Sequence, residues 1–241
     1  MRYFIELSYK GTNYHGLQIQ PDVTTVQEEI TRAFDTILQE KTQVVGAGRT
    51  DAGVHASQMF AHLDTKKELT NEYIHKLNTI LPNDIVIKSI KEVSENKHAR
   101  FDAISRSYEY RILIGRDPFL LDTTWQIHQK KIQIEKMNEA AKVLFQYKDF
   151  ESFSKVKTDV KTFNCTIMSA EWKLEGNQLI FHIKANRFLR NMVRAIVGTL
   201  LDVGLEKKSL DDFRNIIESK KRSEAGLSVP AKGLFLTEVN Y

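Results

Sequence analysis

The chain has 241 residues, of which 41% are hydrophobic and 27% charged, and its formal charge of +4 permits a nucleic-acid partner without requiring one. Cys165 is the only cysteine, which excludes an intrachain disulfide and a thiolate metal cluster. Arg2 brings a charge too early for a signal segment and no stretch approaches a membrane span, so a soluble cytoplasmic protein of two domains is expected.

Tyr3, Ile5, Leu7 and Tyr9 alternate as a half-buried strand does. Thr25 with Glu28 makes a capping-box pattern, after which Val26, Ile30, Phe34 and Ile37 recur at helical spacing. Val44-Val45 leads into a glycine-rich loop, and Ser57, Met59, Ala61 and Leu63 alternate beyond it. A second helix from about Thr70 presents Tyr73, Leu77 and Ile80 and is broken at Pro82-Asn83. Ile85 and Ile87 begin another strand. This order of strands and helices predicts a βαββαβ, ferredoxin-like unit. The polar stretch Ser94 to His98 lacks large apolar anchors, which places a boundary there and divides the chain into 1–98 and 99–241.

In the second part, Tyr108, Tyr110, Ile112 and Ile114 share a strand face, and Arg116-Asp117-Pro118 reads as a turn. A helix from about Ile134 uses Met137, Ala141, Leu144 and Phe145. Strands through Met168-Ala170-Trp172-Leu174 and Leu179-Phe181-Ile183 flank a hairpin turn at Gly176-Asn177. A long helix is expected from about Arg187 to Val203, a shorter one near Ser209 to Glu218, and a last strand from Leu234.

The segment Gly46-Ala47-Gly48-Arg49-Thr50-Asp51-Ala52-Gly53-Val54-His55-Ala56 carries the most chemistry. Its glycines free the backbone for tight turns and close approach. A carboxylate beside a guanidinium is favoured in its ionised form, so Arg49 near Asp51 suits an acid that attacks an electrophilic carbon. The plainer reading is a glycine-rich hairpin with an exposed ion pair of little energetic weight. At 3.6 residues per turn, Arg187, Arg190 and Arg194 fall within roughly 60° of one another on the expected helix. No acid lies between Glu175 and Asp202, so that basic stripe points to phosphate. His15, His55 and His62 suggest metal, but nothing fixes a third ligand and no metal site is expected. Lys10-Gly11-Thr12 lacks P-loop spacing, and no dinucleotide fingerprint is present.

The string AGRTDAGVHA resembles the signature of the TruA family of tRNA pseudouridine synthases. Tyr9-Lys10-Gly11-Thr12-Asn13-Tyr14-His15-Gly16 resembles that family's opening strand and turn, and Arg106-Ser107-Tyr108-Glu109-Tyr110-Arg111 its second-domain strand. Phe188-Leu189-Arg190-Asn191-Met192-Val193-Arg194-Ala195-Ile196-Val197-Gly198 is similar to its Arg-bearing helix, and Pro230-Ala231-Lys232-Gly233-Leu234-Phe235-Leu236 to its closing strand. The resemblance implies an α+β fold of two ferredoxin-like, RRM-like domains with a catalytic cleft between them. It implies conversion of uridine to pseudouridine at positions 38, 39 and 40 of the tRNA anticodon stem-loop, without cofactor, by a homodimer.

By the same resemblance, Asp51 is the nucleophile or base, and Arg194 pairs with it. Tyr108 stacks on the target base or acts as general base, and Leu234 packs against that base. Arg49 orients Asp51 or contacts the nucleotide's phosphate. Arg187 and Arg190 would reach RNA backbone, and Lys232 is a phosphate contact or an exposed turn lysine. Two departures stand out: Leu17 where the family usually has Trp, and Leu227-Ser228 where it commonly has Pro-Thr. The competing readings are a non-catalytic RNA-binding module, a hydrolase pairing Asp51 with His55, and a structural dimer that would leave the arginines unexplained.

Overall fold

Strand β1 (Arg2–Tyr9) buries Tyr3, Ile5, Leu7 and Tyr9 together, as its alternation requires. The computed structural model describes residues 1–128, 131–156, 158 and 160–241. Contacts divide them into two units, Met1–Ile104 with Phe235–Tyr241, and Ser105–Leu234.

The first unit runs β1, α1 (Val26–Leu38), β2 (Val45–Gly46), β3 (His55–Asp64), α2 (Asn71–Ile80) and β4 (Ile85–Val93). This is the predicted βαββαβ order, with β2 cut to two residues by the glycines that follow. β1 lies between β3 and β4, antiparallel to both, and its register sets Tyr3 opposite Leu63, Ile5 opposite Ala61 and Leu7 opposite both Met59 and Ile87. All of these side chains are buried, and Ile30, Phe34 and Leu38 of α1 are buried with them. Each Leu, Ile, Phe or Met among them contributes about 1.5–3 kcal/mol on leaving water. Thr25 caps α1, its hydroxyl accepting from the Glu28 N–H at 3.4 Å. On α2, Asn78 accepts from the Ile87 N–H at 2.8 Å and donates to the Ile87 carbonyl at 2.9 Å, satisfying one residue of β4 completely.

The second unit comprises β5 (Ser105–Ile114), β6 (Trp125–Ile127), α3 (Ile134–Val143), β7 (Ile167–Glu175), β8 (Gln178–Ala185), α4 (Met192–Gly204) and α5 (Leu210–Ser219). β8 pairs antiparallel with β5 and β7, and Gly176, at φ +62°, makes the turn joining β7 to β8. Tyr110, Ile112, Phe181, Ile183 and Trp172 form a buried face. Met168 and Leu174, which alternate with Ala170 and Trp172, stand exposed at the two ends of β7. Asn138 of α3 repeats the amide clamp of α2: it accepts from the Trp172 N–H at 2.7 Å and donates to the Trp172 carbonyl at 3.1 Å.

Three expectations change. The long helix begins at Met192 instead of near Arg187, because Asn191 sits in the left-handed region at φ +67° and interrupts the path. β6 was not foreseen, since three residues are too few to display alternation. The final strand β9 (Leu234–Asn240) pairs in parallel with β3 at His55 and Ala56, so Phe235–Tyr241 counts with the first unit, while the other unit opens at Ser105 instead of 99. Among the described residues no helix is long and apolar enough to cross a membrane.

Candidate active site

In the first unit, the Asp51 loop is gripped by the end of β1 and the segment that follows it. Tyr9 shares a 2.9 Å hydrogen bond with the Thr50 hydroxyl, the Gly53 N–H donates to the Tyr14 carbonyl at 3.2 Å, and the Leu17 N–H donates to the Thr50 carbonyl at 3.4 Å. Two glycines make this grip possible. A Cβ on Gly11 would stand 2.0 Å from the Val54 carbonyl oxygen, and one on Gly16 would stand 2.4 Å from that of Thr50. Gly16 also has φ +95°, a conformation side chains rarely adopt. The chain therefore closes on Asp51 from both sides through Thr50 and Val54, with Val54 N–H turning back to the Asp51 carbonyl at 3.2 Å. Asp51 itself is half-buried, and Arg49 is exposed. No hydrogen bond or ion pair joins the Arg49 side chain to another described residue, so the exposed Arg49–Asp51 pair of the plainer reading is not formed.

His55 and His62 serve the framework, while His15 is exposed. His55 is buried, its Nδ1 accepts from the Gly11 N–H at 3.0 Å, and its ring stacks on Phe235 at 4.5 Å. His62 Nδ1 accepts from the Ala99 N–H at 3.2 Å, and burial pulls its pKa down to about 4. Among the described residues no three His, Cys, Asp or Glu are grouped to hold a metal ion. Leu17 is buried beneath the loop, where a Cβ on Gly46 would reach its Cδ2 at 2.7 Å. The smaller residue at position 17 is thus packed under the glycine loop itself.

In the second unit, Tyr108 on β5 is half-buried and meets the edge of the Phe188 ring at 5.0 Å. Two residues along, Tyr110 is fully buried and donates its hydroxyl to the Pro230 carbonyl at 2.8 Å; burial pushes its pKa up. A Cβ on Gly233 would strike the Tyr110 ring at 2.8 Å, so Tyr110 anchors the segment that carries Lys232 and Leu234. Leu234 is buried and Lys232 half-buried.

Arg194 lies in the first turn of α4 and is tied to Val229 twice. The Val229 N–H donates to the Arg194 carbonyl at 3.2 Å, and Arg194 Nε donates to the Val229 carbonyl at 2.7 Å. The expected basic stripe on one helix face does not exist, because Arg187 and Arg190 precede the helix. Asn186 shapes their loop, its side-chain oxygen accepting from the Thr166 N–H at 2.7 Å and the Arg187 N–H at 2.9 Å. Arg190 is exposed, and Arg187 lies near the buried Cys165 thiol, whose pKa burial pushes up to about 11. α4 is apolar on nearly every side, which marks a buried helix.

Sequence reasoning missed Arg222 and Asn191 and marked Ser228 only as a departure from the family pattern; the three together hold the segment around Val229. Asn191 Nδ2 and Arg222 both donate to the Ser228 hydroxyl. Besides that departure, the sequence signal for the contact was Gly198 followed at a distance by Gly226, both needed because backbone passes against backbone there.

A family model described as tRNA pseudouridine synthase matches residues 7–102 and 140–241. The chain is 52% identical over its whole length to the tRNA pseudouridine synthase A of Bacteroides fragilis, covering 96% of that protein. It is 50% identical over its whole length to the protein of the same name from Parabacteroides distasonis, again covering 96%. At greater distance, the tRNA pseudouridine synthase A of Bacillus licheniformis is 38% identical, with 100% of this chain and 99% of that protein covered.

Proposed function

Because the chain belongs to the tRNA pseudouridine synthase family, we propose that it converts uridine to pseudouridine in the anticodon stem-loop of tRNA, with Asp51 as the reacting carboxylate. The reaction is an isomerisation. The N1–C1′ bond breaks, the uracil turns, C5 joins C1′, the C5 proton leaves to water and N1 takes one up. No electron is gained or lost overall, so the balance calls for no redox partner. Asp51 acts as nucleophile at C1′ or C6, or as base at C2′.

A uridine paired in a stem is out of reach of any carboxylate until it leaves the stack, at a cost of roughly a few kcal/mol. Tyr108 stacking on the extruded base returns about 1–3 kcal/mol of that. Leu234 offers the base an apolar surface. Arg194 orients Asp51, Arg49 meets the phosphate of the target nucleotide, and Arg187, Arg190 and Lys232 meet neighbouring phosphates.

What supports this reading above all is the hold of Gly11 and Gly16 on Val54 and Thr50. It keeps a carboxylate in place on a loop that would otherwise be free. A non-catalytic RNA-binding module has no use for that arrangement. A hydrolase using His55 as its partner acid would need a ring open to substrate, whereas this ring is buried, accepts from the Gly11 N–H and stacks on Phe235. Incubation with tRNA tritiated at uracil C5 tests the reading. Release of tritium with the RNA strand intact is the expected result, and intact label or cleaved product would refute it.

The protein works in the cytoplasm as a homodimer in which one tRNA spans both subunits. Light scattering should give about twice the chain mass of 27.9 kDa. A mass equal to one chain at micromolar concentration would contradict the dimer.

A further inference from the structure

Between α5 and β9 the chain passes through a strap, residues 222–230, that includes the Val229 carbonyl holding Arg194. Its construction is unusual in what Arg222 does. That half-buried guanidinium pairs with no carboxylate among the described residues. It donates instead to the carbonyls of Ala225 at 3.4 Å and Gly226 at 3.0 Å, and to the Ser228 hydroxyl at 2.8 Å. Burial pulls its pKa down, so the charge is kept there against a desolvation cost. The Ser228 hydroxyl also accepts from Asn191, the residue at φ +67° just ahead of α4, whose amide reaches across to the strap instead of capping its own helix.

Packing tightens the same contact. A Cβ on Gly198 of α4 would stand 1.9 Å from the Leu227 carbonyl oxygen, and one on Gly226 would stand 2.9 Å from the Gly198 carbonyl carbon. The Gly226 N–H donates to the Thr199 hydroxyl at 2.9 Å. The far end is held by Tyr110 through Pro230. Every fixed point of the strap brackets Val229, whose carbonyl takes the Arg194 Nε.

We propose that Arg222, Ser228 and Asn191 are positioning residues that set the plane of the Arg194 guanidinium by fixing the Val229 carbonyl. The Nε bond settles the rotation of a planar fork, leaving the two Nη groups to act in one direction. The proposal rests on the reading that Arg194 serves the reaction. Small misplacements of such a group lower rates by as much as about a hundredfold.

The experiment compares Arg222→Gln, Ser228→Ala and Ser228→Thr with the parent in single-turnover tritium release at saturating protein, alongside tRNA affinity and thermal unfolding. The expected result is a loss of roughly tenfold or more for Arg222→Gln and Ser228→Ala, with unchanged tRNA Kd. Ser228→Thr, which keeps the hydroxyl, restores the rate. In an Arg194→Ala background, Arg222→Gln adds no further loss.

A weaker tRNA Kd with a normal saturated rate would overturn the proposal in favour of a phosphate contact. A lower melting temperature with a normal rate per active site, counted by titration, would overturn it in favour of a purely structural role. If Arg194→Ala itself keeps the parental rate, the reading of Arg194 fails. If Arg194→Ala loses the rate and the strap variants do not, the positioning proposal alone fails.

Discussion

The Cα of Gly16 and the carbonyl oxygen of Thr50 are pressed together, leaving room for hydrogen but not for carbon: a Cβ would lie 2.4 Å away. This contact, with its counterpart between Gly11 and Val54, turns a loop whose sequence promises freedom into one whose backbone is fixed beside Asp51.

Gly16→Ala should therefore cost stability and activity together. The left-handed backbone alone costs on the order of 1–3 kcal/mol with a side chain present, and the clash with Thr50 displaces the loop. Gly48, with nothing within 4 Å of its Cβ position, supplies the contrast: Gly48→Ala should leave the melting temperature near that of the parent. Thermal unfolding of both variants would show a drop confined to Gly16→Ala; equal melting temperatures would contradict the contact.

The two asparagine clamps make a second pair of expectations. Asn138→Ala leaves the N–H and carbonyl of Trp172 without their partner, and Asn78→Ala does the same to Ile87. Each loss should lower unfolding free energy by about 1–3 kcal/mol. Urea unfolding measures this, and a change below about half a kcal/mol for both would show that water replaces the amide without penalty.

Salt should weaken tRNA binding steeply, since each phosphate contact releases counterions. Arg49→Ala, Arg190→Ala and Lys232→Ala should each reduce the slope of log K against log salt by about one, with little change among tRNA sequences. Slopes matching the parent would remove these residues from the RNA surface.

Much of the fold was legible because local signals agreed with tertiary ones. The alternation from Tyr3 to Tyr9, Thr25 ahead of α1, and Gly176-Asn177 between β7 and β8 each specify their element within a few residues. What was illegible depends on partners far along the chain. Asn191 stops α4 from starting earlier, and its bond to Ser228 spans 37 positions, which no local pattern announces. Arg187, Arg190 and Arg194 matched a helical stripe on spacing alone, and the left-handed residue between the second and third breaks it. β9 looked like the end of the second unit because it follows it in sequence, yet its pairing with β3 is decided by contacts across almost the whole chain. For the site, the loop's glycines were visible, but which backbone they make room for was not.

Acid should loosen the first unit through His62. Its folded pKa, near 4, lies below the ordinary 6.5 because the ring is buried, with Arg2 and His98 opposing its charge and Asp64 favouring it. The unfolded chain binds the proton first, so this contribution is complete above about pH 6.5 and is lost as pH falls toward 4. The full span is worth up to about 3 kcal/mol. Unfolding of His62→Gln measured from pH 7 to pH 4 should show a shallower decline than the parent; parallel curves would show that His62 does not control it.

Asp51→Asn is the sharpest test. It changes one oxygen for an NH2 group on a loop whose backbone is held by Thr50 and Val54, so tRNA should bind with nearly parental affinity. With that complex formed, tritium at uracil C5 should stay on the RNA. Release at a rate within about twofold of the parent would show that the chemistry belongs to another group.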